Sequence, residues 1–369
     1  MSPSSSGGAL LRRLPALLPA LLLAAASLQA LAAPRIVDAA APVQSTKRGL
    51  AANSMSAADF RAIAPGVSWY YTWNATPLDM PSDVSMEFIP MAWNHDPSFQ
   101  TNLSNYLAAG NRPRRIFVNN EPNLKGQAFI TPSTSANLHA AIKAIAAPYG
   151  IPVVGPHMAL GSAPADSITA YDPLLGANTT YTTGSSFLEA FFHYAGAANV
   201  ESFGYHTYGN SGEAGYFVDF YHTTFNKPMW VTEFSHAGAG SQQAMINYMM
   251  TIVDLYERTP WIEGYAWFMA RNSGIAHSDI FASGSGTLSP VGQVYVQMPV
   301  HDAELFHRIP GRLQAERYSS QASQQISPTT DSSGFADMGA SSSTSSLDYK
   351  LFVPAAGLYT ATLRVSGST

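Results

Sequence analysis

The chain has no cysteine. No disulfide can staple it and no thiol can serve as nucleophile or metal ligand, so its stability has to come from a large buried core. Charge is scarce as well: Asp, Glu, Lys and Arg together make up 12% of the residues, and the formal net charge is -5. A weakly charged, slightly acidic chain lacks the basic surface that a nucleic-acid partner requires. Outside the first 33 residues no stretch is apolar and long enough to span a bilayer. No Gly-rich phosphate loop follows the first strand, and no Gly-x-Ser-x-Gly elbow occurs. His157, His206, His236 and His277 are scattered, with no short-spaced ligand pair. Dinucleotide, serine-nucleophile and metal-centred chemistries are thereby set aside, and no cofactor is expected at the site.

What the sequence does have begins with an export pattern. Arg12 and Arg13 precede an apolar run, Leu14 to Leu23, and Ala30-Leu31-Ala32 supplies a small-x-small cleavage site. Residues 1–33 read as a signal peptide rather than an anchor, because Pro15 and Pro19 break the apolar run and no stop-transfer flank follows. The mature chain is expected to be secreted, free of the membrane and monomeric. Residues 34–46, rich in Ala and Pro, read as a loose leader.

From Lys47 onward, short apolar runs alternate with helical patterns, the signature of a parallel-sheet α/β protein. Eight strands are expected, at 47–51, 67–73, 87–93, 114–121, 152–159, 202–208, 228–234 and 262–268. Helices are expected at 57–64 (capped by Ser56), 98–109, 135–147, 184–197, 213–224, 241–258 and 289–298. Only the link between the second and third strands lacks one. Eight strand-helix units in about 250 residues predict a (β/α)8 TIM barrel over 47–299.

Two of these strands end in a glutamate. Ile116-Phe117-Val118 runs into Asn119-Asn120-Glu121-Pro122, and Pro122 cannot donate to a sheet ladder, so the strand stops there. Met229-Trp230-Val231-Thr232 runs into Glu233-Phe234. In a parallel barrel the C-terminal mouth is where chemistry sits. Two carboxylates there are what glycoside hydrolysis needs, one to protonate the leaving oxygen and one to attack or to activate water. The pattern does not order the two roles. Glu87 and Glu263 begin their strands and belong to the bottom face. Glu189 and Glu257 fall on helix patterns and read as solvated, and Glu201 and Glu213 fall in connections. Alternation puts Phe117, Asn119 and Glu121 on one face, so Asn120 reaches the site only if the strand end is re-aimed.

Aromatics make up 11% of the chain. Trp69 and Trp73 on the second strand, Trp93 at the end of the third and Trp267 on the eighth are candidates to stack on sugar rings. Ordinary barrel filling or helix packing is the alternative, and it is preferred for Trp230, Phe234 and Phe203. His206 and Tyr208 point the same way, either as core residues or as groups that orient the nucleophile.

Past Val300 the character changes. Residues 300–311 read as a linker, and the Ser/Thr-rich 312–369 as the start of an all-β sandwich. Its clearest piece is a hairpin of 347–353 and 359–365 around Pro354-Ala355-Ala356-Gly357.

Lys47-Arg48-Gly49-Leu50-Ala51, Ser68-Trp69-Tyr70-Tyr71-Thr72-Trp73, Phe88-Ile89-Pro90-Met91-Ala92-Trp93, Asn119-Asn120-Glu121-Pro122 and Trp230-Val231-Thr232-Glu233-Phe234 occur in this order. Together they resemble glycoside hydrolase family 128, the clan A β-1,3-glucanases with a glycosyl hydrolase catalytic core. The resemblance implies a retaining double displacement with Glu121 as acid/base and Glu233 as nucleophile. It also implies a β-1,3-glucan partner held by tryptophans. Thr207 stands where the family usually has an aromatic, and Asn119 where it often has glycine. Leu313 to Tyr318 and Leu347 to Gly357 resemble the beginning of a family-six-like carbohydrate-binding module. That resemblance implies a structural calcium to which Glu316 contributes. The competing readings are another clan A glycosidase, acting on mannan, galactan or β-1,4-glucan, and a catalytically silent sugar-binding barrel; the presence of both glutamates argues against the last.

Overall fold

A computed structural model describes residues 34–38, 42–331 and 334–365. The expected signal peptide lies outside the described residues. No helix among them is long and apolar enough to cross a membrane.

A parallel nine-stranded sheet forms the frame. Its strands are β1 (Ser45–Ala51), β2 (Val67–Tyr71), β3 in two pieces (Glu87–Phe88 and Met91–Ala92), β4 (Ile116–Val118), β5 (Val153–Met158), β6 (Ser202–Thr207), β7 (Met229–Phe234) and β8 (Ile262–Phe268). The order runs from the first piece of β3 through β2, β1, β8, β7, β6, β5 and β4 to the second piece of β3. The two ends of the sheet are thus successive halves of one segment. Pro90, which has no N–H to give, divides them, yet its carbonyl still accepts from Phe117 N at 2.9 Å. The sheet therefore curls back on itself as a TIM-like barrel.

Among the described residues seven α-helices cover the outside: α1 (Ala57–Ile63), α2 (Pro97–Ala108), α3 (Pro132–Ala146), α4 (Gly184–Ala195), α5 (Ser211–Phe225), α6 (Gln242–Arg258) and α7 (Pro290–Gln297). Each falls within a few residues of its expected span, because the stop signals were local. Ser56 and Asp59 form a reciprocal capping box on α1. Thr131 caps α3 with Pro132 in its first turn, which starts that helix earlier than its apolar period shows. The link from β2 to β3 carries no helix, as expected.

Strand alternation sorts the aromatics into two layers. Trp69, Tyr71, Phe117 and Trp230 fill the barrel, with Trp69 and Trp230 meeting edge to face at 5.3 Å between centroids. Gly49 makes room for them, since a Cβ there would lie 2.2 Å from the Trp69 ring. Tyr70, Phe203, Phe234 and Trp267 face the helices. At the bottom, Glu87 pairs with Arg114 at 3.1 Å and Glu263 with Arg115 at 3.2 Å.

Several expectations fail here for physical reasons. Glu257 is not solvated. It is buried on α6 against Arg48, with Nη2 to carboxylate 2.9 Å and both side chains at most 2% exposed. The described part of 34–46 is not a loose leader. Arg35–Asp38 pairs in parallel with Leu305–Arg308, so neither leader nor linker is unstructured, and Val37 packs with Val43, Val300 and Leu305. The β5–α4 connection carries an unexpected hairpin, Thr169–Asp172 with Ala177–Thr180, whose polar surface strands have no apolar alternation to betray them.

The described part of the C-terminal segment shares one compact unit with the barrel. Gln324–Pro328 pairs with Ala336–Ala340, and Ile326 and Ala336 join the barrel's main apolar core. Tyr318 donates to Asp254 of α6 at 2.5 Å, and His301 reaches the same carboxylate at 3.0 Å. The expected hairpin of 347–353 with 359–365 is absent from the described residues. Leu351–Phe352 pairs in parallel with Leu305–Arg308 instead. Leu358, Leu363 and Val365 are exposed, so no packed face holds an antiparallel partner there.

Candidate active site

Glu121 and Glu233 converge at the C-terminal mouth of the barrel. Both are nearly buried, at 6% and 5% exposure, and they flank a cleft of about 860 Å3. The strand that carries Glu121 ends early, at Val118, because the backbone turns left-handed. Asn119 has φ of 64° and Glu121 of 46°, a region that asparagine tolerates better than most residues. This twist re-aims the strand end. Asn119 points outward and donates to Ser135 Oγ at 2.9 Å, while Asn120 turns into the cleft and donates to Gln127 Oε1 at 3.0 Å.

His206 on β6 lies between the two glutamates. Its Nδ1 is 2.9 Å from Glu121 Oε1 and 3.4 Å from Glu233 Oε2. One ligand-type atom from each of the three side chains lies within 4.8 Å of the other two. Glu233 is held by further donors. Trp73 Nε1 donates to Oε1 at 2.8 Å, Tyr71 OH donates to Oε1 at 3.2 Å, and Tyr208 OH donates to Oε2. Trp73 makes its bond from a left-handed turn, φ 59°, just past β2.

These contacts set the charges. Burial raises the Glu233 pKa above the usual carboxylate range. The His206 charge, opposed by that of Glu121, and the Tyr208 and Trp73 hydrogen bonds pull it back. Burial works against a charge on His206, but Glu233 and Glu121 outweigh it and its pKa is raised above the usual imidazole value. Burial, then the Glu233 charge, pushes the Tyr208 and Tyr71 phenols well above their ordinary value, so both remain donors.

Of the expected sugar-binding residues, Asn120, Trp73, Trp93, His206 and Tyr208 line the cleft. Trp69 and Trp267 do not, and both are fully buried. Trp69 sits in the barrel interior and donates to Lys47 O at 2.9 Å. Trp267 faces the helices and donates to Ser278 O at 2.7 Å. The aromatic that β8 gives the cleft is its neighbour Phe268, packed edge-on to Tyr208 at 5.4 Å and to Trp73 at 6.1 Å. Sequence reasoning also missed Gln127 and Glu213 on the cleft wall. Glu213 lies in the first turn of α5, where Asn210 caps it. No pattern in the sequence marks either residue.

Glu316, expected to contribute to a calcium site, is buried, and burial raises its pKa. Its Oε2 has no partner among the described residues, and Asp337 adds a second negative charge nearby. No third acidic or imidazole side chain gathers with them among the described residues.

A TIM-like barrel holding two glutamates this close at its mouth has the arrangement that glycoside hydrolysis uses. The chain belongs to the glycosyl hydrolase catalytic core family, whose pattern matches residues 49–295. Among solved structures it is similar to a family 128, subgroup II endo-β-1,3-glucanase from Sorangium cellulosum. The two share 26% identity and a TM-score of 0.60, over 69% of this chain and 100% of that one. A subgroup II endo-β-1,3-glucanase from Pseudomonas viridiflava is 29% identical, with a TM-score of 0.58, over 70% of this chain and 100% of that one. A subgroup I enzyme from Amycolatopsis mediterranei, solved with laminaritriose, shares the fold at 22% identity and a TM-score of 0.53, over 68% of this chain and 98% of that one. No curated protein matches the chain.

Proposed function

We propose that the protein is an exported, retaining glycosidase that cleaves β-1,3-glucan by double displacement, with Glu233 as nucleophile and Glu121 as acid/base. The observation that carries the mechanism is the closeness of the two carboxylates, which have oxygens within 4.8 Å of one another. Inverting enzymes separate theirs by about 6.5–9.5 Å to admit a water, and retaining ones by about 5–5.5 Å. The substrate rests on the similarity to the endo-β-1,3-glucanases of Sorangium and Pseudomonas.

In the first step Glu233 attacks the anomeric carbon while Glu121 gives its proton to the departing oxygen. In the second, Glu121 takes a proton from water, which displaces Glu233. The negative charge thus moves from Glu233 to Glu121 and back. His206 Nδ1 faces both carboxylates, so one imidazole proton accompanies the charge in each state. Asn120 has an unpartnered Oδ1 and an amide turned to the cleft, suited to a sugar 2-hydroxyl. Trp73, Trp93 and Phe268 offer ring faces to pyranoses.

Digestion of laminarin, curdlan, mannan and a β-1,4-glucan tests the reading, with the first-formed anomer followed by NMR. Laminarin and curdlan should be cut and the product released with the substrate's β configuration. An α product, or cleavage confined to mannan or β-1,4-glucan, would overturn it.

A further inference from the structure

Behind His206 lies a hydrogen-bonded chain that the two-glutamate mechanism does not use. His206 Nε2 is 3.1 Å from Thr232 Oγ1, and that oxygen is 2.7 Å from His157 Nδ1. Thr232 and His157 are wholly buried and His206 is 1% exposed, and the three come from different strands, β7, β5 and β6. His157 is wedged between Phe117, 4.7 Å away between rings, and Gly204, where a Cβ would lie 2.0 Å from Nδ1. The backbone leaves out a side chain so that this imidazole fits.

We propose that Thr232 and His157 are positioning residues that hold the His206 ring with Nδ1–H turned to the carboxylate pair. The proposal rests on the reading of Glu121 and Glu233 given above. The proton accounting follows from the donors available. When His206 is an imidazolium, Nδ1–H serves the carboxylates and Nε2–H donates to Thr232 Oγ1. The hydroxyl hydrogen of Thr232 then donates to His157 Nδ1, so His157 carries its single proton on Nε2. When His206 is neutral with its proton on Nδ1, the chain reverses. Thr232 donates to His206 Nε2 and accepts from His157 Nδ1–H. A hydroxyl serves both arrangements because it donates and accepts; a methyl serves neither. Burial and the nearby His206 charge hold the His157 pKa well below the usual imidazole value, so it remains the neutral end of the chain. The titratable groups facing His206 are Glu121, Glu233 and His157, with Tyr208 and Tyr71 bonded to Glu233.

Three variants test this: Thr232→Val, which keeps the shape and loses the hydroxyl, Thr232→Ser, which keeps the hydroxyl, and His157→Phe, which removes the far acceptor. In Thr232→Val, kcat should fall about ten- to a hundredfold, the worth of one hydrogen bond to a charged group, with KM little changed. The imidazolium loses its acceptor, so the His206 titration followed by NMR should move to lower pH, and the alkaline limb of the pH profile with it. His157→Phe should move both in the same direction, and Thr232→Ser should restore wild-type behaviour. An unmoved titration in folded Thr232→Val or His157→Phe would overturn the proposal, as would equal loss in Thr232→Ser and Thr232→Val, which would mean packing alone. The titration needs no substrate, so a failed glucan assignment would leave this test standing.

Discussion

Trp73 and Tyr208 bind the Glu233 carboxylate through different oxygens, the indole N–H on Oε1 at 2.8 Å and the phenol on Oε2. Each comes from just beyond a strand end, Trp73 from β2 and Tyr208 from β6. The carboxylate plane is thus fixed by two ring donors with few rotatable bonds, and the open space above it is the cleft. A group so held is aimed before substrate arrives, which is the preorganisation a nucleophile needs.

Glu233→Ala should lower turnover by about 10⁴-fold or more. Azide added to this variant should enter the space left by the carboxylate and attack the sugar directly. The product, read by NMR, should be a glycosyl azide with the anomeric configuration opposite to the substrate's. Wild-type turnover without added nucleophile would remove Glu233 from the reaction.

Glu121→Gln separates the proton donor from a mere contact. An aryl glycoside with a good leaving group needs no proton to depart, whereas a glucan does. The kcat/KM loss should therefore be much larger on laminarin than on the aryl glycoside. Equal losses on the two substrates would assign Glu121 a binding role.

The site is built at the expense of stability, and pH should reveal it. Glu233 and His206 both have folded-state pKa values above their ordinary ones, 4.5 and 6.5. A folded state that holds protons more tightly than the unfolded chain loses stability as pH rises through that interval. Their contributions are fully present below those ordinary values and decline above them. Glu233→Gln removes the buried carboxylate charge and part of what raises His206. Its melting temperature should fall less between pH 5 and 8 than that of the wild type. Parallel curves would show that these groups do not govern the pH dependence.

The C-terminal segment should behave as part of the barrel domain. Tyr318→Phe removes a buried hydrogen bond to the Asp254 carboxylate, worth about 1.5–3 kcal/mol. The melting temperature should drop by several degrees, while hydrolysis of soluble oligosaccharides at 25 °C is unaffected. Removing 312–369 uncovers the surface of α6 that the Gln324–Ala340 hairpin covers, and should lower the melt further. An unchanged melt in both would make the segment an appendage.

The barrel was legible in the sequence because its signals are local: apolar runs of period two or 3.6, Ser and Thr caps, and a proline after the acidic strand end. Glu121 and Glu233 were legible for the same reason, each closing its own strand. What escaped depends on partners far along the chain. Trp267 and Phe268 are adjacent, and only the barrel's curvature decides which one faces the cleft. Asn119 breaks the alternation by turning left-handed, which no period can show. Glu257 lies on a helix pattern like any solvated acid until Arg48, from β1, arrives beside it. His157 stood among scattered histidines, because its partners Thr232 and His206 lie on other strands.

The parallel pairing of Arg35–Asp38 with Leu305–Arg308 has a consequence for the order of synthesis. Arg35 leaves the ribosome 270 residues before its partner Leu305 (305 − 35), an interval of roughly 13–55 s at translation rates of about 5–20 residues per second. Strand β1 waits nearly as long for β8. The first-made end of the domain therefore waits until the barrel is complete to be fastened, and its fastener is the segment just beyond the barrel. A nascent chain halted after β8 would have all eight strands and still leave Val37 and Val43 without the Val300 and Leu305 that cover them.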